Sequence, residues 1–177
     1  PVGPVGEYAQ SCLGRERMFQ YFSGLHGTPG VIVRLNYAID LRYGVLLDIA
    51  TKVHGGVPVD VTMGHANVIW QGDANEAVLR GLEHAASPPM IRNLTGPEVL
   101  SVRELAIGFG QRLGRDPVLT GSEAPNALLS NAGKYVRLMG TPRVPVERMM
   151  DWIAHWVGRG GETLSKPTHF EARDGRF

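Results

Sequence analysis

The sequence predicts an α/β fold with parallel strands, because helix signals and strand signals alternate along the chain. The strand candidates are short, nearly continuous apolar runs such as Val31–Leu35 and Met90–Leu94, which are typical of strands buried on both faces of a parallel sheet. The helix candidates carry apolar residues at steps of three and four, and most of them end near a glycine.

The first third of the chain alternates between helix and strand. A helix is predicted over 7–25, because aromatic, Cys and Arg side chains recur there at helical spacing, namely Tyr8, Cys12, Arg15, Phe19 and Phe22. The strand at 31–35 follows a Pro/Gly turn. A second helix is predicted over 45–53, and a strand over 58–61.

The rest of the chain continues the alternation. Asp73 with Glu76 three residues later predicts a capped helix that reaches about residue 86. Ser101 with Glu104 is a capping-box pattern and predicts a helix that ends at Gly114. Strands are also expected at 90–94 and 117–119, helices at 126–139 and 145–157, and a polar tail at 158–177.

Composition excludes several classes of protein. A hydrophobic fraction of 43% is ordinary for a globular domain, and a net charge of +1 with scattered basic residues gives no support to nucleic-acid binding. The single cysteine, Cys12, cannot form an internal disulfide and favours a reducing compartment. No membrane span or metal-binding histidine pair is predicted, so we expect a cytoplasmic protein without a metal.

The segment from Tyr8 to Cys12, with Glu16 after it, resembles the Tyr-x-x-x-Lys motif of NAD-dependent epimerases and dehydratases, the extended short-chain dehydrogenase/reductase family. Cys12 stands where that family has lysine. Further matches follow in the family's order over residues 5–157: Arg34-Leu35 with Asn36 and Tyr37, then the stretches 68–73, 93–98, 101–105 and 138–142, and a last helix with Trp152 and Trp156.

The spacing of the motif has a physical reason. Residues four apart share a helix face, so a lysine at position 12 would hold its ammonium near the phenol of Tyr8. That charge would lower the tyrosine pKa from about 10 and allow proton transfer near neutral pH. A cysteine thiol does not supply the charge, whereas Arg15, seven residues past Tyr8 on the same face, is a candidate to replace it.

The resemblance implies the last strands of an incomplete Rossmann-like parallel sheet with a small α/β substrate-binding lobe. It implies a Rossmann-like remnant over 1–36 and 67–95 and a lobe over 37–66 and 96–157. The cofactor would be NAD or NADP, although the glycine-rich loop that binds it belongs to the first strands of such a sheet and is absent from this sequence. The substrate would be a nucleotide sugar or similar small molecule, and the parent protein a homodimer.

The resemblance also assigns site residues. Catalysis would involve Tyr8, with Cys12 at the lysine position and Arg15 beside it. The cofactor would contact Tyr8, Leu35 and Asn36. The substrate would contact four residues: Asn36, Tyr37, Arg42 and Trp70.

Two functional hypotheses stay open, because Cys12 removes the usual activating lysine. The chain is either the C-terminal part of an active enzyme, in which Tyr8 assists hydride transfer, or part of a catalytically impaired relative that binds or regulates. Because the chain opens on Pro1 and a Pro/Gly loop, we expect a piece of a longer protein, with strand 31–35 exposing one sheet edge and an apolar face. An unrelated, self-contained α/β domain is the third possibility.

Overall fold

The computed structural model describes residues 3–172 and shows a mixed α/β protein. Within that range lie six α-helices, eight short β-strands and one 3₁₀ turn. The helices are α1 (Gly6–His26), α2 (Val45–Gly55), α3 (Gln71–Gly81), α4 (Val102–Leu113), α5 (Gly133–Met139) and α6 (Val146–Gly158). The strands are β1 (Val31–Leu35), β2 (Ala38–Ile39), β3 (Val59–Asp60), β4 (His65–Ala66), β5 (Ile69–Trp70), β6 (Met90–Leu94), β7 (Leu100–Ser101) and β8 (Leu119–Thr120).

The longest strands, β1 and β6, form a parallel pair that runs in register from Val31 opposite Met90 to Leu35 opposite Leu94. Two shorter pairs, β2 with β5 and β3 with β8, are also parallel, whereas β4 and β7 are antiparallel. The parallel α/β arrangement that the sequence predicts is therefore confirmed.

The main core lies where α2, α4 and α6 pack against one another. Its fully buried side chains include Leu46, Ile49, Phe109, Met149 and Ile153. A second, smaller cluster joins the sheet to α3 and α5 through five buried residues: Ile69, Ala74, Ala77, Leu94 and Tyr135. The two clusters give the chain a lobe with a real hydrophobic core beside a thin sheet.

Helix α1 is attached to this body by polar contacts. Its one buried residue is Ser23, whose hydroxyl donates to the carbonyl oxygen of Thr28 at 2.6 Å. Large apolar side chains of α1 remain exposed, namely Met18, Phe19, Tyr21, Phe22 and Leu25. Within residues 3–172, β1 pairs with β6 alone, so the open sheet edge that the sequence predicts is present. Of these two elements, α1 carries most of the exposed apolar side chains, whereas Val31, Ile32 and Val33 of β1 are half-buried.

The predicted capping role of Asp73 is wrong. Helix α3 begins two residues earlier, at Gln71, and its N-cap residue is Trp70. Asp73 is buried, and its Oδ2 accepts a hydrogen bond from the backbone N–H of Val144 at 2.9 Å. The Asp73 carboxylate therefore binds a backbone N–H that is distant in the chain and does not cap α3. The helix also stops at Gly81, short of residue 86, because the chain tightens there into a 3₁₀ turn.

The helix predicted over 126–139 forms only in its second half, as α5. The irregular segment before it is held by side chains: Asn67 Oδ1 accepts from the N–H of Ser130, and Asn131 Oδ1 from that of Gly133, each at 2.8 Å. The Ser101 cap is confirmed, since its hydroxyl accepts from the N–H of Glu104 at 3.3 Å.

The predicted polar tail is partly structured. Residue 158 still belongs to α6, and residues 161–172 run back over α2, where the side chain of Phe170 enters the main core and is only 2% exposed. Residues 173–177 of the predicted tail lie outside the described residues.

Candidate active site

The amino-terminal end of α1 projects beyond the carboxyl end of β1. Arg34, the next-to-last residue of β1, forms a two-armed ion pair with Glu16, its Nε donating to Oε2 at 2.8 Å and its second arm to Oε1. Since a helix rises about 1.5 Å per residue, Cys12 lies about 6 Å and Tyr8 about 12 Å further toward the amino end. Ligands of parallel α/β sheets bind at the carboxyl ends of the strands, which is where both side chains lie.

The structure brings Tyr8, Cys12 and Arg15 together, as their spacing predicts. The Arg15 guanidinium donates to Cys12 Sγ at 3.7 Å. The pKa of Tyr8 is raised above its ordinary value, chiefly by its hydrogen bond with Cys12, then by charge on the Cys12 sulfur and by burial, while the charge of Arg15 lowers it. The Arg15 guanidinium therefore contacts the Cys12 sulfur, and its lowering effect on the Tyr8 pKa is smaller than the combined raising effects of Cys12 and burial.

Two further tyrosines, Tyr37 and Tyr43, follow β1 in the chain. Tyr37 has a φ of 42°, a left-handed conformation that is strained for an aromatic residue and typical of functional loops. Burial raises its pKa, and the charges of Glu171 and Tyr43 raise it further. Tyr43 also raises the pKa of Tyr8, so it lies within electrostatic reach of both phenols. Sequence reasoning missed Tyr43, since no motif marks it.

Asn36 lies at the carboxyl edge itself. Its backbone N–H donates to the carbonyl oxygen of Leu94 at 2.9 Å and so extends the β1–β6 pairing by one residue. Its side-chain Nδ2 is buried without a hydrogen-bond partner among the described residues, and so is the hydroxyl of Thr95, the next residue after β6. Buried polar groups are normally paired, so these two atoms are exceptions at the carboxyl edge of the strands. Thr95 lies in the stretch 93–98 that resembles the family, but the sequence did not mark it as a site residue.

The other predicted site residues make different contacts. Leu35 ends β1 and is half exposed at the same edge. Trp70 packs edge-to-face against Trp152, with ring centroids 5.1 Å apart, which gives it a structural role. The Arg42 Nε is 3.5 Å from Asp40 Oδ1, and its side chain lines a cavity on the outer face of α2. Substrate contacts by Arg42 and Trp70 stay predictions.

The described residues contain neither a group of metal ligands nor a membrane-spanning helix. Among residues 3–172, no three His, Cys, Asp or Glu side chains are grouped so that they could hold a metal ion. No helix in that part of the chain is both long and apolar enough to cross a membrane.

Solved structures share this architecture. A UDP-glucuronic acid 4-epimerase from Bacillus cereus, in complex with NAD, matches 90% of this chain over 57% of its own, with a TM-score of 0.73 and 14% identity. A dTDP-glucose 4,6-dehydratase from Bacillus anthracis, also in complex with NAD, matches 90% of this chain over 54% of its own, with a TM-score of 0.72 and 14% identity. A UDP-glucose 4-epimerase from Thermus thermophilus, in complex with NAD, matches 88% of this chain over 58% of its own, with a TM-score of 0.64 and 20% identity.

The chain has the fold of these epimerases and dehydratases. It is part of their Rossmann-like α/β fold, as the sequence resemblance predicts, and it spans little more than half their length. No protein-family model and no curated protein matches the sequence. With 14–20% identity to the epimerases and dehydratases named above, the likeness shows the fold alone.

Proposed function

We propose that the chain is the C-terminal half of an NAD(P)-dependent epimerase- or dehydratase-like protein that acts on a nucleotide sugar or a similar hydroxyl or carbonyl substrate. The observation that carries the proposal is the position of Tyr8, on a helix that projects past the carboxyl end of β1 and is joined to that strand by the Glu16–Arg34 ion pair. In an epimerase or dehydratase fold this edge is where a ligand meets the sheet.

The surfaces of α1 and β1 support the same proposal. Strand β1 has an open edge, α1 exposes apolar side chains, and within residues 3–172 Asn36 and Thr95 carry unpaired polar atoms at the carboxyl end of the β1–β6 pair. The other half of the fold, which the solved structures have in addition, would add a strand to β1 and cover α1. That half would also supply the loop that binds the dinucleotide phosphates.

The residues present fit the part of a dinucleotide site that this half would contribute. The Asn36 amide offers an unpaired donor and Tyr8 a hydroxyl, both at the sheet edge. A bound dinucleotide would supply the acceptor and donor of hydride. Tyr8 would exchange the proton of the substrate hydroxyl. With a pKa raised above the ordinary value of about 10, its phenol keeps its proton at neutral pH, so it can act as a weak proton donor but not as the base.

The raised pKa of Tyr8 also favours the second candidate function, a catalytically impaired relative that binds its ligand without turnover. In that case Cys12 replaces the charge that would make the phenol a usable base. Binding of the dinucleotide does not depend on the acidity of Tyr8, so a binding or regulatory protein would keep the fold and the edge residues.

The test uses the full-length protein that contains this chain. Conversion of each of a set of nucleotide sugars to product is measured for the wild type, Tyr8→Phe and a matched control, Tyr21→Phe, an exposed tyrosine of the same helix. Product is measured directly, because an epimerase or a dehydratase returns the hydride to the sugar and accumulates no NAD(P)H. For an active enzyme, Tyr8→Phe lowers kcat by about 10²–10⁴-fold, the usual contribution of general acid–base catalysis, and Tyr21→Phe leaves it unchanged.

The same set of proteins separates the two functions. A wild type that binds NAD(P)H without turnover supports the binding protein. A wild type that neither binds a dinucleotide nor turns over any substrate overturns both candidate functions, and equal activity of the wild type and Tyr8→Phe removes Tyr8 from the mechanism.

A further inference from the structure

The segment 161–172, here called the C-terminal strap, is fixed to the outer face of α2. Both the backbone N–H and the hydroxyl of Thr168 donate to Asp48 Oδ2, at 2.8 and 2.6 Å. One turn further along α2, Lys52 Nζ donates to Glu171 Oε1 at 2.5 Å. Between these two contacts Phe170 is buried in the main core. The strap is therefore a built part of the fold.

Two residues of the strap adopt left-handed backbone conformations without being glycine. Ser165 has a φ of 50° and His169 a φ of 51°. This conformation is sterically unfavourable for a residue with a Cβ. Such residues persist only where the surrounding structure fixes the backbone, and they are common in functional loops. Both residues line a cavity of about 310 Å³ between the strap and α2.

The wall of this cavity carries three basic and two acidic side chains. Its wall carries Arg42, Lys52 and Lys166 against two carboxylates, Asp48 and Glu171, together with the ring of His169. Both carboxylates already have partners: Asp48 accepts hydrogen bonds from Thr168, and Glu171 forms an ion pair with Lys52. The guanidinium of Arg42 is held only by a 3.5 Å contact to Asp40, so Arg42 and Lys166 are the charges that a ligand can meet.

We propose that the cavity under the C-terminal strap binds a small phosphate-bearing anion. A guanidinium and an ammonium that face one cavity are the side chains that recognise phosphate oxygens, through charge-assisted hydrogen bonds. The hydroxyls of Thr51 and Ser165 line the same space and can donate to the same oxygens. The volume suffices for a phosphate with a sugar-sized substituent. Arg42 is also one of the predicted substrate contacts, but the cavity and its charges stand on their own geometry and the proposal does not depend on the proposed function.

The proposal is tested by calorimetric titration of the protein with inorganic phosphate and, separately, with a hexose phosphate. Loss of one charged partner should weaken binding about tenfold or more, for Arg42→Ala and for Lys166→Ala alike. Lys134→Ala removes an exposed lysine of α5, away from the cavity, and should leave binding within about twofold. The far-ultraviolet circular dichroism of each variant shows that it is folded.

The outcomes are distinct. Tighter binding of the hexose phosphate than of inorganic phosphate identifies a phosphate monoester as the ligand class, and equal binding identifies free phosphate. No binding of either probe to the wild type overturns the proposal. Binding that Arg42→Ala and Lys166→Ala both leave unchanged overturns it as well, because the ligand would then lie elsewhere.

Discussion

Replacement of Phe170 by alanine tests whether the C-terminal strap belongs to the core. The side chain is 2% exposed and lies in the cluster built by α2, α4 and α6, although it belongs to a segment that is otherwise polar. Leu164, in the same strap, is 58% exposed and serves as the matched control.

The structure sets the expected magnitudes. A buried phenylalanine that is cut back to alanine loses transfer free energy and leaves a cavity, which together cost about 3–5 kcal/mol. Truncation of an exposed side chain such as Leu164 changes the free energy of unfolding by only about 0.5 kcal/mol. Because a small domain is stable by about 5–15 kcal/mol, the first loss is a large share of the total and the second is a small one.

Urea unfolding, followed by tryptophan fluorescence, measures both losses. Trp70 and Trp152 pack against each other beside the main core, so their emission reports on the unfolding of the lobe. We expect Phe170→Ala to lower the free energy of unfolding by about 3–5 kcal/mol with an unchanged urea dependence. A loss below about 1 kcal/mol, or one equal to that of Leu164→Ala, would refute the packing of the strap.

Three further predictions concern the site and the backbone. Cys12→Lys should lower the pKa of Tyr8, which is raised in the wild type, and a tyrosinate absorbance titration that shows no lower midpoint would contradict the assignment of Cys12 to the lysine position. Arg34 lowers the pKa of the Glu16 carboxyl below the ordinary value of 4.5. The ion pair therefore stabilises the fold at neutral pH, and this stabilisation is lost as the pH falls through the lowered pKa of Glu16. The difference in free energy of unfolding between the wild type and Glu16→Gln should therefore be largest near pH 7 and shrink below about pH 4.5, and a difference that does not change with pH would contradict this. Gly96→Ala would place a Cβ 2.2 Å from a backbone carbonyl oxygen and should cost about 1–3 kcal/mol, whereas Gly14→Ala, on the open face of α1, should stabilise by about 0.5–1 kcal/mol, both in thermal unfolding.

The elements that sequence reasoning placed well are those with strong local signals. Helix α1 follows from its three-and-four spacing, β1 and β6 from short apolar runs, and α4 from the cap at Ser101 and the glycine after it. The proximity of Tyr8, Cys12 and Arg15 was also predictable, because residues on one helix face are set by the helix itself.

What the sequence could not supply depends on partners distant in the chain. Asp73 looked like a cap, but the backbone of Val144, 71 residues away, takes its carboxylate. The segment before α5 stays irregular because the Asn67 side chain binds its backbone. Tyr43 joins the candidate site only through its position in the fold, which leaves no pattern in the sequence. Thr95 lies in the stretch 93–98 that resembles the family, but only the structure shows that its hydroxyl is buried and unpaired within residues 3–172.

The pKa of Tyr8 links the fold to the chemistry. Its phenol is 67% exposed, so water weakens every charge effect on it, and the hydrogen bond with Cys12 is its largest perturbation. In the larger fold that we propose, a further half would cover the sheet edge beside α1 and remove that water, which would strengthen the attraction between a guanidinium and a phenolate. Burial alone would raise the Tyr8 pKa further. Under the proposed function, Tyr8 would therefore become a usable base only if the Arg15 guanidinium turned from the Cys12 sulfur to the phenol. If it stays on the sulfur, Tyr8 remains a proton donor.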